Sequence, residues 1–159
     1  MPPRIGLGFD NHRLVPGKGF RLGGVDVSCG LATEAHSDGD VLLHALVDAM
    51  LGAAALGDIG DHFPDTDARW KDADSRVFVE WTLARLADAG FAVGNVDANV
   101  LLEKPKLGPL KDAMRASIAA MLKVDPDVVS VKAKTHERVG PVGHSQTVVA
   151  QVVVLLNNP

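Results

Sequence analysis

The sequence has a single cysteine, Cys29, and no tyrosine, and aromatic residues make up only 4% of its 159 residues. One cysteine excludes an intrachain disulfide and a metal site built from several thiolates. Acidic residues outnumber basic ones, the net charge is −4, and the lysines and arginines form no basic stripe. We therefore expect no nucleic-acid partner, because such binding needs a positive surface or stacked aromatic rings.

Long hydrophobic runs are also missing, although 47% of the residues are hydrophobic. No run approaches the roughly 20 residues of a membrane-spanning helix, so we expect no membrane partner. Met1 to Arg4 are not followed by the apolar core of a signal or transit peptide, and we expect a cytoplasmic protein. The length fits one domain covering residues 1–159.

The hydrophobic pattern predicts alternating strands and helices. In order, we predict a strand at 5–9, a hairpin of 20–22 and 25–27, helices at about 40–56 and from 74–76 to before Gly90, a strand at 93–102, a helix at 109–123 and strands at 128–135 and 148–156. Residues 57–71 are predicted to be a loop. This order predicts an α+β sandwich with one mixed sheet and helices on one face. The last strand is nearly all apolar, so both its faces should be covered, by the domain or by a neighbouring subunit.

Two clusters of histidine and aspartate are candidates for chemistry. Asp10 and His12 are two residues apart at the predicted end of the first strand and should point to the same face. Asp40, His44 and Asp48 repeat every four residues along the next helix, with His36 just upstream. Taken alone, the first pair has a turn cap as its alternative, and the helical repeat has a solvent-facing side of the helix as its alternative. Together they favour a site, because imidazoles and a carboxylate suit Zn²⁺ and three ligands leave one position open.

Two further segments can bind a polar substrate. The loop from Asp58 to Asp67 is either a solvated turn or a lid that offers carboxylates and amides. Lys132 to Glu137 lie at a predicted strand end, where lysine, threonine and backbone N–H groups can hold phosphates and a carboxylate can hold Mg²⁺. Lys104 to Lys106 end another strand and are expected beside it.

Taken together, these segments resemble the 2-C-methyl-D-erythritol 2,4-cyclodiphosphate synthase family over essentially the whole chain. The motifs that carry the resemblance are Gly8-Phe9-Asp10-Asn11-His12, His36-Ser37-Asp38-Gly39-Asp40 with His44, Gly57-Asp58-Ile59-Gly60, Phe63-Pro64-Asp65-Thr66-Asp67, Gly94-Asn95-Val96-Asp97, Pro105-Lys106 and Lys132-Ala133-Lys134-Thr135-His136-Glu137.

The resemblance implies a ferredoxin-like or chorismate-mutase-like sandwich that forms a homotrimer with active sites between adjacent subunits. It implies a phosphorus-oxygen lyase of non-mevalonate isoprenoid biosynthesis, which cyclises 4-diphosphocytidyl-2-C-methyl-D-erythritol 2-phosphate and releases CMP. Asp10, His12 and His44 would bind one Zn²⁺ per subunit, and Glu137 would bind Mg²⁺ or Mn²⁺ on the diphosphate.

The resemblance also assigns roles to other residues. The implied catalytic residues are His36, Lys134 and Thr135. The implied contacts to the methylerythritol phosphate are His36, Ser37, Asp58, Ile59, Gly60 and Asp65. The implied cytidine diphosphate pocket, supplied by the neighbouring chain, contains Leu102, Glu103, Lys104, Pro105, Lys106, Leu107, Ala133, Lys134, Thr135 and Glu137.

Two other functions remain open at this point. A zinc hydrolase would use metal-bound water as its nucleophile, with Asp38 or Asp40 as a base. A trimeric metal-binding or nucleotide-binding protein would bind CMP analogues without turnover.

Overall fold

The computed structural model describes residues 1–159. Its strands are β1 (Arg4–Pro16), β2 (Phe20–Leu22), β3 (Val25–Val27), β4 (Leu31–Glu34), β5 (Ala92–Leu101), β6 (Val129–Lys134) and β7 (Thr147–Asn157). Its helices are α1 (Val41–Ala54), α2 (Ile59–His62), α3 (Arg76–Asp88), α4 (Lys111–Leu122) and α5 (Gly140–Gly143), with 3₁₀ turns at Ala68–Trp70, Gly108–Leu110 and Pro126–Val128. None of the helices combines the length and apolarity needed to span a bilayer.

Five strands form one mixed sheet in the order β4-β1-β7-β5-β6, and β2 and β3 form a separate hairpin. Only β5 and β6 are parallel neighbours. Because β1 and β5 are both antiparallel to β7, the strands β1, β5 and β6 all run in the same direction. Asp10 is level with Ala150 of β7, which is level with Val100 of β5 and, beyond it, Ala133 of β6. The carboxyl ends of these three strands therefore lie at one end of the sheet.

The helices pack on one face of this sheet. Helix α1 lies on β1 and β7, α4 lies on β6, and α3 packs against α1 and α4. Side chains alternate between the two faces of a strand, and on β7 one alternate set is buried under the helices: Val148, Ala150, Val152, Val154 and Leu156. The predicted α+β class with a mixed sheet is confirmed.

The opposite face of the sheet carries exposed apolar side chains on β1 and β7: Ile5, Leu7, Phe9 and Val153. In the single chain, only one face of β7 is therefore covered by the domain. Coverage of the other face by a neighbouring subunit stays a prediction.

Several predicted boundaries are wrong. Strand β1 does not end at Phe9 but continues to Pro16, because it pairs with β7 as far as Arg13 and with β4 beyond it. Asp10 and His12 accordingly lie in the middle of the strand. Helix α1 begins after Asp40, which is its N-cap, and ends where Ala55 turns left-handed. Residues 57–71 contain α2 and a 3₁₀ turn, and the strand β4 and the helix α5 were not predicted.

Candidate functional site

Asp10, His12 and His44 meet where β1 packs against the first turn of α1. His44 Nδ1 lies 3.1 Å from Asp10 Oδ2 and 3.1 Å from His12 Nε2. His12 Nε2 lies 3.4 Å from the same Asp10 oxygen. One nitrogen or oxygen atom from each residue lies within 4.8 Å of the other two. Two imidazole nitrogens and a carboxylate oxygen therefore converge as a potential metal site.

Glycine in β1 explains how the helix comes so close to the strand. A Cβ atom on Gly8 would lie 1.8 Å from the carbonyl oxygen of Ala45, and one on Gly6 would lie 2.0 Å from that of Ala49. No other residue fits against the helix backbone at these distances. The close contact brings His44, which precedes Ala45, over Asp10 and His12.

Burial favours the neutral form of His12. The loss of solvent around His12 lowers the pKa of its imidazole, and this effect outweighs the opposing attraction of Asp10. His12 is therefore neutral at pH 7, which is the form that binds a metal ion. On the far side of the His44 ring, Nε2 lies 2.9 Å from Ser75 Oγ and 3.0 Å from Ser37 Oγ.

The other two aspartates of the helical repeat are not part of this cluster, which corrects the prediction for α1. Asp40 is fully buried and accepts backbone hydrogen bonds from Gly23, Gly24 and Leu43 at 2.7–3.0 Å. Burial raises the pKa of Asp40, and these N–H donors oppose that effect. Asp48 accepts a hydrogen bond from the backbone N–H of Ile59 at 2.8 Å. The four-residue spacing predicted that Asp40, His44 and Asp48 lie in one cluster, but each of these side chains has different partners in the structure.

A cavity of about 510 Å³ lies directly beside the cluster, within the range of small-ligand sites. Five of the six residues predicted to contact the methylerythritol phosphate line it: His36, Ser37, Ile59, Gly60 and Asp65. Aromatic side chains complete its apolar wall: Phe63, Trp70 and Phe78. His36 Nε2 lies 3.1 Å from the carbonyl oxygen of Asp67. A carbonyl only accepts, so this nitrogen carries a proton.

Asp58, the sixth predicted substrate residue, does not line the cavity. Its carboxylate accepts the backbone N–H of Asp61 at 3.0 Å, and Asp61 accepts the backbone N–H of Asp58 at 3.2 Å. This reciprocal pair is a capping box at the start of α2. Asp58 thus orders the turn that presents Ile59 and Gly60 to the cavity.

A second cavity, of about 170 Å³, lies where β5 and β6 end. Most residues of the predicted cytidine diphosphate pocket line it: Leu102, Pro105, Lys106, Leu107, Ala133, Lys134 and Thr135. Lys104 is exposed beside them. Glu103 does not line this cavity, because its two carboxylate oxygens accept the backbone N–H groups of His136 and Arg138 at 2.9 and 3.0 Å.

A family model described as the YgbB family matches residues 3–157 of this chain. The chain belongs to the YgbB family. This confirms the resemblance found in the sequence, since a family relative from Salinibacter ruber is named 2-C-methyl-D-erythritol 2,4-cyclodiphosphate synthase. It is 54% identical over 155 residues, which cover 98% of this chain and 99% of the relative.

Two solved structures share the fold of this chain. The bifunctional IspDF from Campylobacter jejuni superposes with a TM-score of 0.95 at 38% identity, covering 99% of this chain and 43% of that one. The CDP complex of IspF from Plasmodium falciparum superposes with a TM-score of 0.87 at 33% identity, covering 98% of this chain and 96% of that one.

The single chain of this protein does not bring the three predicted catalytic residues together. His36 lines the larger cavity, whereas Lys134 and Thr135 line the smaller one, and the two cavities share no residue. Glu137, the predicted magnesium ligand, is exposed in the turn after β6 and lines neither cavity. Its backbone is left-handed, with a φ of 52°.

Ser75 and the aromatic wall were not predicted as parts of the site. Ser75 lies at the predicted start of α3 and occupies its N-cap, but its side chain makes no capping hydrogen bond there. Phe63, Trp70 and Phe78 come from the loop before α3 and from α3 itself. The sequence offers no signal at these three positions that distinguishes the wall of a cavity from a hydrophobic core.

Proposed function

We propose that this protein is a 2-C-methyl-D-erythritol 2,4-cyclodiphosphate synthase, a cytoplasmic phosphorus-oxygen lyase of non-mevalonate isoprenoid biosynthesis whose single domain spans residues 1–159. Its substrate is 4-diphosphocytidyl-2-C-methyl-D-erythritol 2-phosphate, and its products are the cyclic diphosphate and CMP. The observation that carries the proposal is the convergence of Asp10, His12 and His44 at the wall of a 510 Å³ cavity in a YgbB-family chain.

The three converging side chains fit Zn²⁺. Ligand atoms about 2.0–2.2 Å from a tetrahedral zinc ion lie roughly 3.3–3.6 Å from one another. The three atom pairs of this cluster are 3.1, 3.1 and 3.4 Å apart, so a small adjustment seats the ion. Zn²⁺ with Mg²⁺ or Mn²⁺ held by Glu137 would supply Lewis-acid stabilisation of the negative charge on the phosphates.

The larger cavity would hold the methylerythritol phosphate. Ser37 and His36 offer polar contacts near the metal ligands. The capped turn of α2 would present Gly60, and the segment after α2 would present Asp65, to the hydroxyls of methylerythritol. Phe63 and Phe78 exclude water from the same space. Fixing the 2-phosphate next to its target is a large part of the catalysis, since good orientation is worth up to about 7–11 kcal/mol.

The smaller cavity would bind the cytidine diphosphate of a substrate held by the adjacent subunit. Lys134 and Thr135 would donate hydrogen bonds to phosphate oxygens as their charge grows. This assignment requires an oligomer, and we propose a homotrimer that covers the exposed apolar face of Ile5, Leu7 and Phe9. The separation of the two cavities in one chain supports this arrangement.

The reaction needs no side-chain nucleophile. An oxygen of the 2-phosphate attacks the β-phosphorus, and the bond from that phosphorus to the oxygen of the α-phosphate breaks. The bonding electrons leave with CMP. Solvent contributes no oxygen to either product, which separates this reaction from that of a zinc hydrolase.

The decisive experiment is ³¹P NMR of the protein with the cytidylyl substrate, Zn²⁺ and Mg²⁺ in ¹⁸O-enriched water. We expect CMP and a cyclic diphosphate, both without ¹⁸O. His44→Ala should remove turnover while the protein stays folded by circular dichroism, and the exposed His144→Ala is the matched control that should retain it. Incorporation of ¹⁸O would establish a hydrolase, and binding without new phosphorus signals would establish a binding protein.

A further inference from the structure

Ser75 occupies a helix N-cap and yet does not cap its helix. It is fully buried at the start of α3, and its hydroxyl makes no hydrogen bond to the first turn. Serine is favoured at N-caps because its oxygen accepts such a bond. Here the hydroxyl lies instead between His44 Nε2, at 2.9 Å, and a carboxylate oxygen of Asp38. The Ser75 hydroxyl therefore contacts the candidate metal ligand His44 instead of capping the helix.

Hydrogen bonds to the backbone fix the position of Asp38, which accepts the proton of this hydroxyl. Its second carboxylate oxygen accepts the backbone N–H of Ser75 at 3.0 Å, and its own backbone N–H donates to the carbonyl of Ala73 at 3.0 Å. The backbone N–H of Asp72 donates to the carbonyl of His36 at 2.8 Å. The two loops before α1 and α3 are therefore fixed to each other around the pair of Asp38 and Ser75.

When Nδ1 of His44 binds a metal ion, the hydrogen bonds on the other side of the ring have one order. A carboxylate only accepts, so the Ser75 hydroxyl donates its proton to Asp38. The Ser75 oxygen then accepts the Nε2–H of the neutral imidazole, and Ser37 Oγ, 3.0 Å from the same nitrogen, can accept from it as well. The Nδ1 lone pair is left for the metal, and Nδ1 is the atom that lies 3.1 Å from Asp10 and from His12.

We propose that Asp38 and Ser75 are positioning residues that fix the tautomer and the ring orientation of His44 for metal binding. The inference rests on the metal site of the proposed function. Metal-bound histidines commonly donate their second N–H to a carboxylate or a carbonyl, which sets the tautomer of the ring. In this protein a serine hydroxyl stands between the imidazole and the carboxylate.

NMR of the parent protein loaded with Zn²⁺ tests the tautomer directly. Histidine labelled with ¹⁵N reports which ring nitrogen carries the proton, and the signals of His44 are those lost in His44→Ala. We expect the Nε2–H form in the parent. Population of the Nδ1–H form in the parent overturns the proposal, and this measurement requires no change at Ser75.

Zinc titration against a competing chelator tests the effect on binding. Ser75→Ala should weaken zinc binding by about 10- to 100-fold, the usual loss when a partner of a metal ligand is removed. The ¹⁵N signals of His44 should also show a second tautomer in this variant. Thr82→Val is the matched control, because it removes another buried hydroxyl of α3 that donates to Phe78 and lies outside the site. It should bind zinc as the parent does.

Asp38→Asn provides the second variant. The amide retains an acceptor for the Ser75 hydroxyl but lacks the charge, so zinc binding should be weaker than in the parent and stronger than in Ser75→Ala. Equal zinc affinity in the parent and both variants overturns the positioning role. Failure of the parent itself to bind one zinc per chain would instead overturn the metal site of the proposed function, and the two failures are therefore distinguishable.

Discussion

Asp40 shows what a buried carboxylate does when its partners are all backbone N–H groups. It ties the turn between β2 and β3 to the start of α1 through Gly23, Gly24 and Leu43. Asp40→Ala leaves these donors without an acceptor, and each buried unsatisfied group costs about 1–3 kcal/mol. We predict a loss of at least about 3 kcal/mol in the free energy of unfolding, measured by urea denaturation at fixed protein concentration.

Asp26→Ala is the control for this prediction. Asp26 is exposed and lies 3.7 Å from Arg21, in a surface pair whose removal typically costs less than about 1 kcal/mol. A cost for Asp40→Ala no larger than that of Asp26→Ala would contradict the capping role of Asp40.

The pair of Asp97 and Lys132 gives a prediction about pH. Lys132 Nζ donates to Asp97 Oδ2 at 2.7 Å across the parallel strands β5 and β6, and this hydrogen bond lowers the pKa of Asp97 below its ordinary value of 3.8. A lowered carboxyl pKa contributes stability that is complete above 3.8 and is lost as the pH falls through the lowered value.

We predict that ¹³C NMR of the Asp97 carboxyl shows this lowered pKa, and that Lys132→Met returns it toward 3.8. Both side chains are about half exposed, so the effect on global stability should be small. An Asp97 pKa that is unchanged by Lys132→Met would contradict the assignment of the shift to this hydrogen bond.

At the residue scale, the sequence predicted which residues form the site better than it predicted which other residues they contact. Residue types and spacing predicted two clusters that together favour a site, and the family resemblance selected Asp10, His12 and His44, whose ligand atoms the structure brings within 4.8 Å. Spacing also placed Asp40 beside His44, because spacing along a helix does not reveal a turn 16 or 17 residues upstream whose N–H groups bind it. Ser75 could not be found at all, since its partners are far away in the chain.

At the scale of elements, the contact between β1 and α1 places the candidate site, and Gly8 makes that contact. A Cβ there would lie 1.8 Å from the backbone oxygen of Ala45, so Gly8→Ala must push the helix away from the strand. Overpacking of this kind costs about 1–3 kcal/mol or more. We predict that Gly8→Ala lowers the unfolding free energy by that amount and also weakens zinc binding, because His44 moves with the helix.

Gly52 in the same helix is the control for this prediction. It is exposed, and nothing lies within 4 Å of a Cβ built on it. Gly52→Ala should stabilise the protein by about 0.5–1 kcal/mol, because glycine is unfavourable inside a helix. Thermal unfolding should therefore move in opposite directions for the two substitutions, and a shift in the same direction would contradict the close-packing argument.

The boundaries of the elements followed local patterns only in part. Helices α1, α3 and α4 were predicted nearly in place, because their apolar periodicity is local. Strand β1 was predicted to end at Phe9 because polar Asp10, Asn11 and His12 follow it. Its real extent depends on hydrogen bonds to β7, which lies more than 130 residues away. The residues around β1 do not reveal pairing with a strand so far along the chain.

At the scale of the whole molecule, the sheet places both cavities at one end but on different strands. The larger cavity lies beside β1, whereas the smaller one lies at the ends of β5 and β6, with β7 between. Neighbouring strands are about 4.8 Å apart, so β1 and β5 are separated by roughly 10 Å. The proposed function assigns the completion of a site that uses both cavities to a second chain.

A mixing experiment tests whether the site is shared between chains. His44→Ala and Lys134→Ala should each be inactive alone, because every site lacks one of the two side chains. In oligomers assembled randomly from equal amounts of both variants, half of the chains carry an intact His44 and half an intact Lys134. If each site takes one residue from each of two chains, about one quarter of the sites are complete and activity returns to about a quarter of the parent's. If both residues belonged to a site within one chain, mixing would restore nothing.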